Sequence, residues 1–371
     1  MLKGTKVEIT EFAETPMEGV EQYLRIVEQE VPDTNELGED EVLIGVKSSA
    51  IGWVDLMMIS GQYQHQARLP YTPGLEYCGI VLWKGEKVVE VKLGDKVLVD
   101  GFISGPRTSG KYQEYGGFAT YAVAPKEAII PIPERLNFDQ ACNLLGSYET
   151  AYYCLITNGG LQAGETVLIN GASGATGIAA VHIAKLIGAT VIATGRSDEK
   201  LAIVKAQGAD HVVNTKAVNA DEKVRKFRTE VKALTNGKGV DVVYDGVGGA
   251  ISEESLRCVK FGARFLIVGW ASTPFVAKGK GKRGAPNANR LPTNLILIKG
   301  LKVLGSPMVI ATQNDLSIRK KRLSDIFQWV EEDKITPYVS NVFSLKNIKE
   351  AMRAKWNGKI IGGAAVRIES L

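Results

Sequence analysis

From Thr166 onward, short apolar segments alternate with segments of helical periodicity. The apolar segments lack regular polar alternation, which is typical of parallel strands that are buried on both faces. Helices between such strands indicate right-handed crossovers and therefore a doubly wound α/β sheet. The predicted strands are TVLIN (166–170), TVIAT (190–194), HVVN (211–214), VDVVYD (240–245), ARFLIVG (263–269) and LKVLG (301–305), with helices at 177–188, 197–207, 221–235 and 252–259.

The first 144 residues have a different pattern, in which short strands are separated by Gly, Pro and charged turns with little helix between them. This pattern predicts an antiparallel, partly closed β-rich domain. The predicted strands are KVEIT, EVLIGVKS, GIVLW, KVLVDG and FATYAVAP.

After residue 310 the sequence predicts helices at 317–332 and 346–354 and strands at 339–343 and 360–368. This segment is too small to fold alone, so we expect it to complete the N-terminal domain. The predicted organisation is therefore a β-rich domain over 1–144, a parallel-sheet domain over 145–310, and a C-terminal segment over 311–371 that returns to the first domain.

Composition narrows the class of protein. The chain has 371 residues with 45% hydrophobic and 23% charged residues and a net charge of +4, which is too small by itself to indicate nucleic-acid binding. Four cysteines occur without paired spacing, so neither a disulfide framework nor a structural zinc site is expected. The N-terminus has no signal-like apolar stretch, and the longest uncharged run is interrupted by polar residues and glycines. We expect a soluble, cytoplasmic protein without a membrane partner.

A glycine-rich turn joins the first parallel strand to the helix that follows it. The pattern Gly171-Ala-Ser-Gly174-Ala-Thr-Gly177 is typical of dinucleotide binding, because glycine permits close approach of a pyrophosphate and of the helix to the strand. The helix N-terminus then offers free N–H groups and partial positive charge to the anion. A tight connection without a ligand is the alternative. The candidate pyrophosphate residues are Ser173, Gly174, Ala175, Thr176 and Gly177.

The end of the second parallel strand indicates which dinucleotide binds. NAD sites usually have an acidic residue there, which contacts the ribose 2′-hydroxyl. This chain instead has Arg196, Ser197 and, one turn later, Lys200. Two cations and a hydroxyl favour a 2′-phosphate, so the sequence predicts NADPH. A solvated basic turn is the alternative.

Several short motifs occur together along the chain. They are Asp55, SGQY (60–63), PGLEYCGIV (73–81), GDKV (94–97), GGFATY (116–121), the turn at 171–177, DGVGG (245–249) and NGK (357–359). In these motifs the chain resembles the zinc-independent quinone oxidoreductase (zeta-crystallin-like) branch of the medium-chain dehydrogenase/reductase superfamily. The resemblance implies a GroES-like β-rich catalytic domain joined to a Rossmann domain, with the nicotinamide in the cleft between them.

The resemblance also implies roles for residues that match family motifs. Lys200 matches the lysine that binds the 2′-phosphate, and residues 173–177 match the pyrophosphate turn. Further matches to cofactor-binding positions are Gly246, Val247, Val268, Gly269, Trp270 and Asn357. Two departures, Gly52 in place of Asn and Ile59 in place of Arg, remove polar groups that quinone reductases usually have.

Metal ligands are missing from the matching positions. Zinc-dependent relatives have a Cys just before the Asp that aligns with Asp55 and a His between Gly and Glu. Here Gly52, Trp53 and Val54 precede Asp55, and Leu75 takes the place of the His. The four-Cys lobe is also absent from 101–117. We therefore expect no zinc.

Tyr63 is the candidate catalytic residue. It matches the proton-donating tyrosine of mitochondrial enoyl reductases in the same superfamily, and a phenol stays protonated near neutral pH. Tyr63 either donates a proton or only lines the substrate site.

Three functions are compatible with these patterns. The first is NADPH-dependent reduction of quinones or α,β-unsaturated carbonyl compounds. The second is an enoyl-CoA or enoyl-ACP reductase that uses Tyr63 as its acid. The third is an NADPH-retaining RNA-binding or structural, crystallin-like protein, in which the basic loop 277–290 would contact nucleic acid. By resemblance a homodimer is expected, formed through the strand at 302–305.

Overall fold

The computed structural model describes residues 3–219, 223–272 and 289–369. The described chain forms two compact units. One contains the residues up to Leu145 together with those from Pro337 onward, and the other contains the residues from Gly146 to Thr336.

The first unit is built mainly from antiparallel strands. Its central strand β3 is buried along most of its length because β4 and β6 both pair with it and apolar residues point to both faces. The prediction of an antiparallel β-rich domain is confirmed. The elements up to Leu145 are β1 (Gly4–Ile9), β2 (Leu24–Gln29), β3 (Glu41–Ala50), β4 (Tyr77–Lys84), β5 (Lys96–Val99), β6 (Tyr121–Pro125) and β7 (Ile129–Pro131), with helices α1 (Pro16–Glu18), α2 (Trp53–Ile59) and α3 (Phe138–Ala141).

The second unit contains a six-stranded sheet in the order β10-β9-β8-β11-β12-β13, and each pair of neighbouring strands is parallel. The strand order reverses between β8 and β11, which is the switch point of a doubly wound sheet. The fold prediction is confirmed. The elements are α4 (Leu145–Tyr152), β8 (Thr166–Asn170), α5 (Ala175–Ile187), β9 (Thr190–Gly195), α6 (Asp198–Ala206), β10 (His211–Asn214), α7 (Arg228–Leu234), β11 (Val240–Asp245), α8 (Ala250–Cys258), β12 (Val259–Ile267), α9 (Thr293–Ile298), β13 (Lys302–Gly305), α10 (Met308–Asn314) and α11 (Ser317–Glu331).

The helix predicted over 221–235 is shorter than expected. Residues 223–227 are not helical, and α7 begins at Arg228. The Arg225 N–H donates to the Thr215 carbonyl, and its guanidinium donates to the Asn214 carbonyl at 2.6 Å. These bonds hold the chain against the end of β10, so helical propensity is overridden by tertiary contacts.

The chain returns to the first unit after Thr336 through β14 (Val339–Ser344), α12 (Ile348–Trp356) and β15 (Gly363–Arg367). β15 pairs antiparallel with β3, and β14 pairs parallel with β15. We predicted that the segment 311–371 returns to the β-rich unit as one piece. It is instead divided between the two units, and only the residues from Pro337 onward join the β-rich unit.

Residues 311–336 remain with the parallel sheet because of a buried ionic cluster. Arg319 and Arg322 of α11 each donate to the Glu149 carboxylate of α4, with closest distances of 2.7 Å. Arg322 also donates to the Thr312 hydroxyl at 2.8 Å. The charged groups of Glu149 and Arg322 are almost fully buried, so α11 cannot leave this unit without exposing an incomplete charge cluster.

Within the described residues, no helix combines the length and the apolar character needed to cross a membrane. The four cysteines are free and buried, and they pack as small apolar groups.

The Glu149 cluster gives a stability prediction. Glu149→Gln leaves Arg319 and Arg322 buried without an anion, and we expect the free energy of unfolding to fall by about 3–5 kcal/mol. Urea unfolding monitored by tryptophan fluorescence measures this change. Lys321→Gln is the control, since it removes the exposed ion pair of Lys321 with Asp325 and costs less than about 1 kcal/mol. Equal losses in the two variants would contradict the prediction.

Candidate functional site

The glycine-rich turn leads from β8 directly into α5. Gly174 is the N-cap of α5 and has an extended backbone, with φ −79° and ψ 169°. Among the described residues, no side chain caps this end of the helix. The first N–H groups of α5 therefore lack an intrahelical acceptor and have no capping side chain, as an anion site at a helix N-terminus requires.

Two glycines of this turn have different structural roles. A Cβ at Gly177 would lie 2.4 Å from the Gly171 carbonyl oxygen and 2.7 Å from the Ala172 Cα, so only glycine allows α5 to pack this closely on the turn. A Cβ at Gly174 would find its nearest atom 3.5 Å away, which is ordinary van der Waals contact. Gly177 is therefore required by the fold, whereas Gly174 leaves open space beside the helix N-terminus.

The residues after β9 concentrate positive charge. Ser197 caps α6 by accepting from the Lys200 N–H at 3.4 Å, and Arg196 is exposed. Burial lowers the pKa of Lys200, and the nearby Arg196 charge lowers it further against the opposing effect of Glu199. The neighbouring Asp198 carboxylate accepts from the Asn214 amide at 2.7 Å. An anion placed beside Arg196 and Lys200 would relieve their mutual repulsion.

The segments after β11 and β12 are joined by hydrogen bonds. The Val268 N–H and Gly269 N–H both donate to the Asp245 carbonyl, at 2.9 and 3.2 Å. Farther along, the Ala271 N–H donates to the Gly246 carbonyl at 3.2 Å. Trp270 is about half exposed at 47%. Gly246, Val247, Val268, Gly269 and Trp270 are thus brought together by the fold.

Most candidate cofactor residues therefore lie at one edge of the parallel sheet. The turn at 171–177, the cationic segment at 196–200 and the segments at 246–247 and 268–270 follow β8, β9, β11 and β12 in turn. Because parallel strands all end at the same edge, these four segments converge beside the switch point, where open α/β sheets bind ligands.

Tyr63 and Asn357 lie in the other unit. Tyr63 follows the end of α2, where the Gln62 N–H donates to the Met57 carbonyl at 3.0 Å and the Gln62 amide donates to the Glu14 carbonyl at 2.9 Å. The Tyr63 ring is half-buried and packs against the β-domain core. Asn357 is exposed directly after α12.

A buried charged group near α2 was not predicted from the sequence. The Asp55 carboxylate accepts from the N–H groups of Gly52, Gly74 and Leu75, at 2.8, 3.1 and 3.2 Å. Burial raises the pKa of Asp55 to about 6, although these donors and the Lys355 charge act against the shift. Burial likewise lowers the pKa of Lys355 to about 8, against Asp55 and Glu76. The sequence signal that could have indicated these buried charges is the position of Lys355, two residues before the NGK motif.

The residues around Asp55 do not fit a zinc ion. Both oxygens of the carboxylate already accept backbone N–H groups, and the side chains of Val54 and Leu75 carry no donor atom. Across the described parts of the chain, no group of three or more His, Cys, Asp or Glu residues could hold a metal ion. Zinc requires three or four such ligands.

Comparison with family models identifies two matching regions. Residues 38–134 match the alcohol dehydrogenase GroES-like domain. Residues 175–318 match a model described as zinc-binding dehydrogenase. The two regions fall on the β-rich unit and on the parallel-sheet unit.

Similar proteins cover most of the chain. Quinone oxidoreductase from Sus scrofa is 36% identical over 314 residues, which is 84% of each chain. Quinone oxidoreductase-like protein 2 from Bos taurus is 32% identical over 86% of this chain and 84% of its own length. A mycobacterial protein solved in complex with NADPH has the same fold, with a TM-score of 0.76, 24% identity, and coverage of 98% of this chain and 99% of its own.

The two glycines of the turn give a paired prediction. Gly174→Ala should leave the melting temperature within about 2 °C of wild type yet weaken dinucleotide binding about tenfold or more, because the new methyl group enters the space beside the helix N-terminus. Gly177→Ala should lower the melting temperature itself, since its Cβ meets backbone. Differential scanning fluorimetry and calorimetric titration measure both quantities. Unchanged dinucleotide affinity in a folded Gly174→Ala protein would contradict the assignment of the turn.

Proposed function

The chain belongs to the quinone oxidoreductase branch of the medium-chain dehydrogenase/reductase superfamily, and from this premise we propose that it reduces quinones or α,β-unsaturated carbonyl compounds with NADPH and without zinc. Family membership establishes an NAD(P)H-dependent oxidoreductase. The choice of NADPH is carried by one observation. The positively charged side chains of Arg196 and Lys200 lie close enough after β9 for their charges to interact.

The residues present fit a phosphorylated dinucleotide. The N–H groups at the start of α5 would bind the pyrophosphate, and Arg196, Ser197 and Lys200 would bind the 2′-phosphate. The segments at 246–247 and 268–270 would flank the rest of the coenzyme. When bound, NADPH supplies the hydride for reduction.

The protein itself would position the substrate and, for some acceptors, donate a proton to it. A quinone can take its protons from water, so Tyr63 need only shape the site for that substrate. An enoyl thioester builds up negative charge that a phenol can neutralise by donating its proton. The position of Tyr63 on a loop fixed by Gln62 is compatible with either role.

The proposed homodimer is supported by the position of β13. It is the last strand in the order of the described sheet, and an unpaired edge favours pairing with another chain. Phe261, Leu297 and Ile298 beside it are exposed by 70–81%. Sedimentation velocity separates a dimer from a monomer of 40.1 kDa.

The RNA-binding alternative rests on the loop 277–290, most of which lies outside the described residues.

Coenzyme preference tests the proposed NADPH site. Replacing both Arg196 and Lys200 with Gln should weaken NADPH binding about 10- to 100-fold and change NADH binding less than about threefold, because only NADPH carries the 2′-phosphate. Fluorescence titration with each coenzyme measures the dissociation constants. Lys205→Gln, an exposed charge near the end of the same helix, is the control. Equal wild-type affinity for NADH and NADPH would overturn the assignment.

Substitution of Tyr63 separates the two reductase functions. Tyr63→Phe should alter kcat/KM for 1,4-benzoquinone less than about threefold if the chain is a quinone reductase that takes protons from water. A loss of about 100-fold or more with crotonyl-CoA would instead identify Tyr63 as an acid and favour the enoyl reductase. Tyr338→Phe removes another half-buried phenol of the same unit as a control.

A further inference from the structure

Asp245 is a buried carboxylate at the carboxyl end of β11, with 1% of its surface exposed. One carboxylate oxygen accepts from the Val247 N–H at 3.0 Å and the Gly248 N–H at 3.2 Å. The other accepts from the Ser252 hydroxyl at the start of α8. The carboxylate therefore folds the chain that follows it back onto the end of its own strand.

The same residue connects to the neighbouring strands. The Asn170 amide, directly before the glycine-rich turn, donates to the Asp245 carboxylate at 3.3 Å. The Asp245 carbonyl accepts from Val268 and Gly269, directly after β12. Asp245 thus contacts two segments that we assign to the coenzyme, 246–247 and 268–270, and the residue directly before a third, 171–177.

Asn170 extends these contacts to β9. Its side-chain oxygen accepts from the Thr194 hydroxyl at 3.0 Å, and its amide also donates to the Ser255 hydroxyl at 3.0 Å. Each of these three residues is buried. Thr194 lies two residues before Arg196, so the hydrogen-bonded chain reaches the strand that carries the cationic segment.

Asp245 differs from an ordinary buried ion-pair partner. Among the described residues it accepts only from amides and hydroxyls, and no lysine or arginine neutralises it. Burying a charge without a counter-ion is unfavourable unless several hydrogen bonds compensate. Here, two of the compensating donors are N–H groups of the Gly246–Gly248 loop, so the loop conformation and the carboxylate charge stabilise each other.

We propose that Asp245 is a positioning residue, whose carboxylate holds the loop after β11 in the conformation that binds the coenzyme. It acts through Val247, Gly248 and Ser252 rather than through contact with the coenzyme. This inference rests on the proposed function, because it requires that this loop binds NADPH.

Asp245→Asn tests the role with little change in shape. The amide has one acceptor oxygen in place of two, so it cannot accept from the loop N–H groups and from Ser252 at once. We expect the dissociation constant for NADPH to rise about tenfold or more, by the loss of one charge-assisted hydrogen bond. KM for NADPH should rise with it, while kcat at saturating coenzyme stays within about threefold of wild type.

Asp241→Asn is the matched control on the same strand. The Asp241 carboxylate also accepts a backbone N–H, that of Thr166 at 2.8 Å, and pairs with Lys260, but it lies at the opposite end of β11. We expect this variant to lower the melting temperature without changing the NADPH dissociation constant. Comparing the two variants separates loss of stability from loss of loop conformation.

Each outcome is decisive. A higher dissociation constant in Asp245→Asn alone, with both variants folded, supports the positioning role. Unchanged NADPH affinity in a folded Asp245→Asn protein overturns it, and so does an equal weakening in Asp241→Asn. If Asp245→Asn does not fold, Ser252→Ala removes one donor to the carboxylate and must raise the dissociation constant at least about threefold for the inference to stand. If wild type binds neither NADPH nor NADH, the proposed function fails, which is a separate result.

Discussion

The contact between the turn after β8 and the start of α5 is the constraint on which the parallel-sheet unit depends. The helix must begin close enough to the strand end for its unpaired N–H groups to face the switch point. A Cβ at Gly177 would come within 2.4 Å of the Gly171 carbonyl oxygen, so little space remains between helix and turn. Any side chain there would displace α5, and the donors at its N-terminus would move with it.

Two buried carboxylates in this unit are stabilised in different ways. Glu149 is neutralised by two arginines, which fix α11 to α4 and so determine which unit contains residues 311–336. Asp245 instead accepts from neutral donors on segments that line the switch point. An arginine partner for Asp245 would bring a long side chain into the region where the coenzyme phosphates are proposed to bind. Neutral donors hold the loops without occupying that space.

Much of this architecture could be predicted from local patterns. The six parallel strands are short apolar segments whose burial on both faces is visible in the sequence, and the glycine-rich turn is a local motif. Features set by distant contacts could not be predicted in the same way. The start of α7 depends on bonds from Arg225 to the end of β10, and the position of α11 depends on a glutamate about 170 residues earlier in the chain. Lys355 likewise looks like a surface lysine until the fold buries it near Asp55.

The environment of Asp55 bears on the chemistry that the β-rich unit can perform. Its carboxylate accepts three backbone N–H groups, from Gly52 directly before α2 and from Gly74 and Leu75, so it fixes the backbone of both segments. Val54 and Leu75, at the positions where the resemblance implies the ligands of zinc-dependent relatives, carry apolar side chains. In the proposed reaction without zinc, activation of a carbonyl acceptor would come from hydrogen-bond donors or from the acceptor's own reactivity. Quinones, whose reduction gives an aromatic ring, need the least activation, which supports the proposal that they, rather than simple ketones, are the substrates.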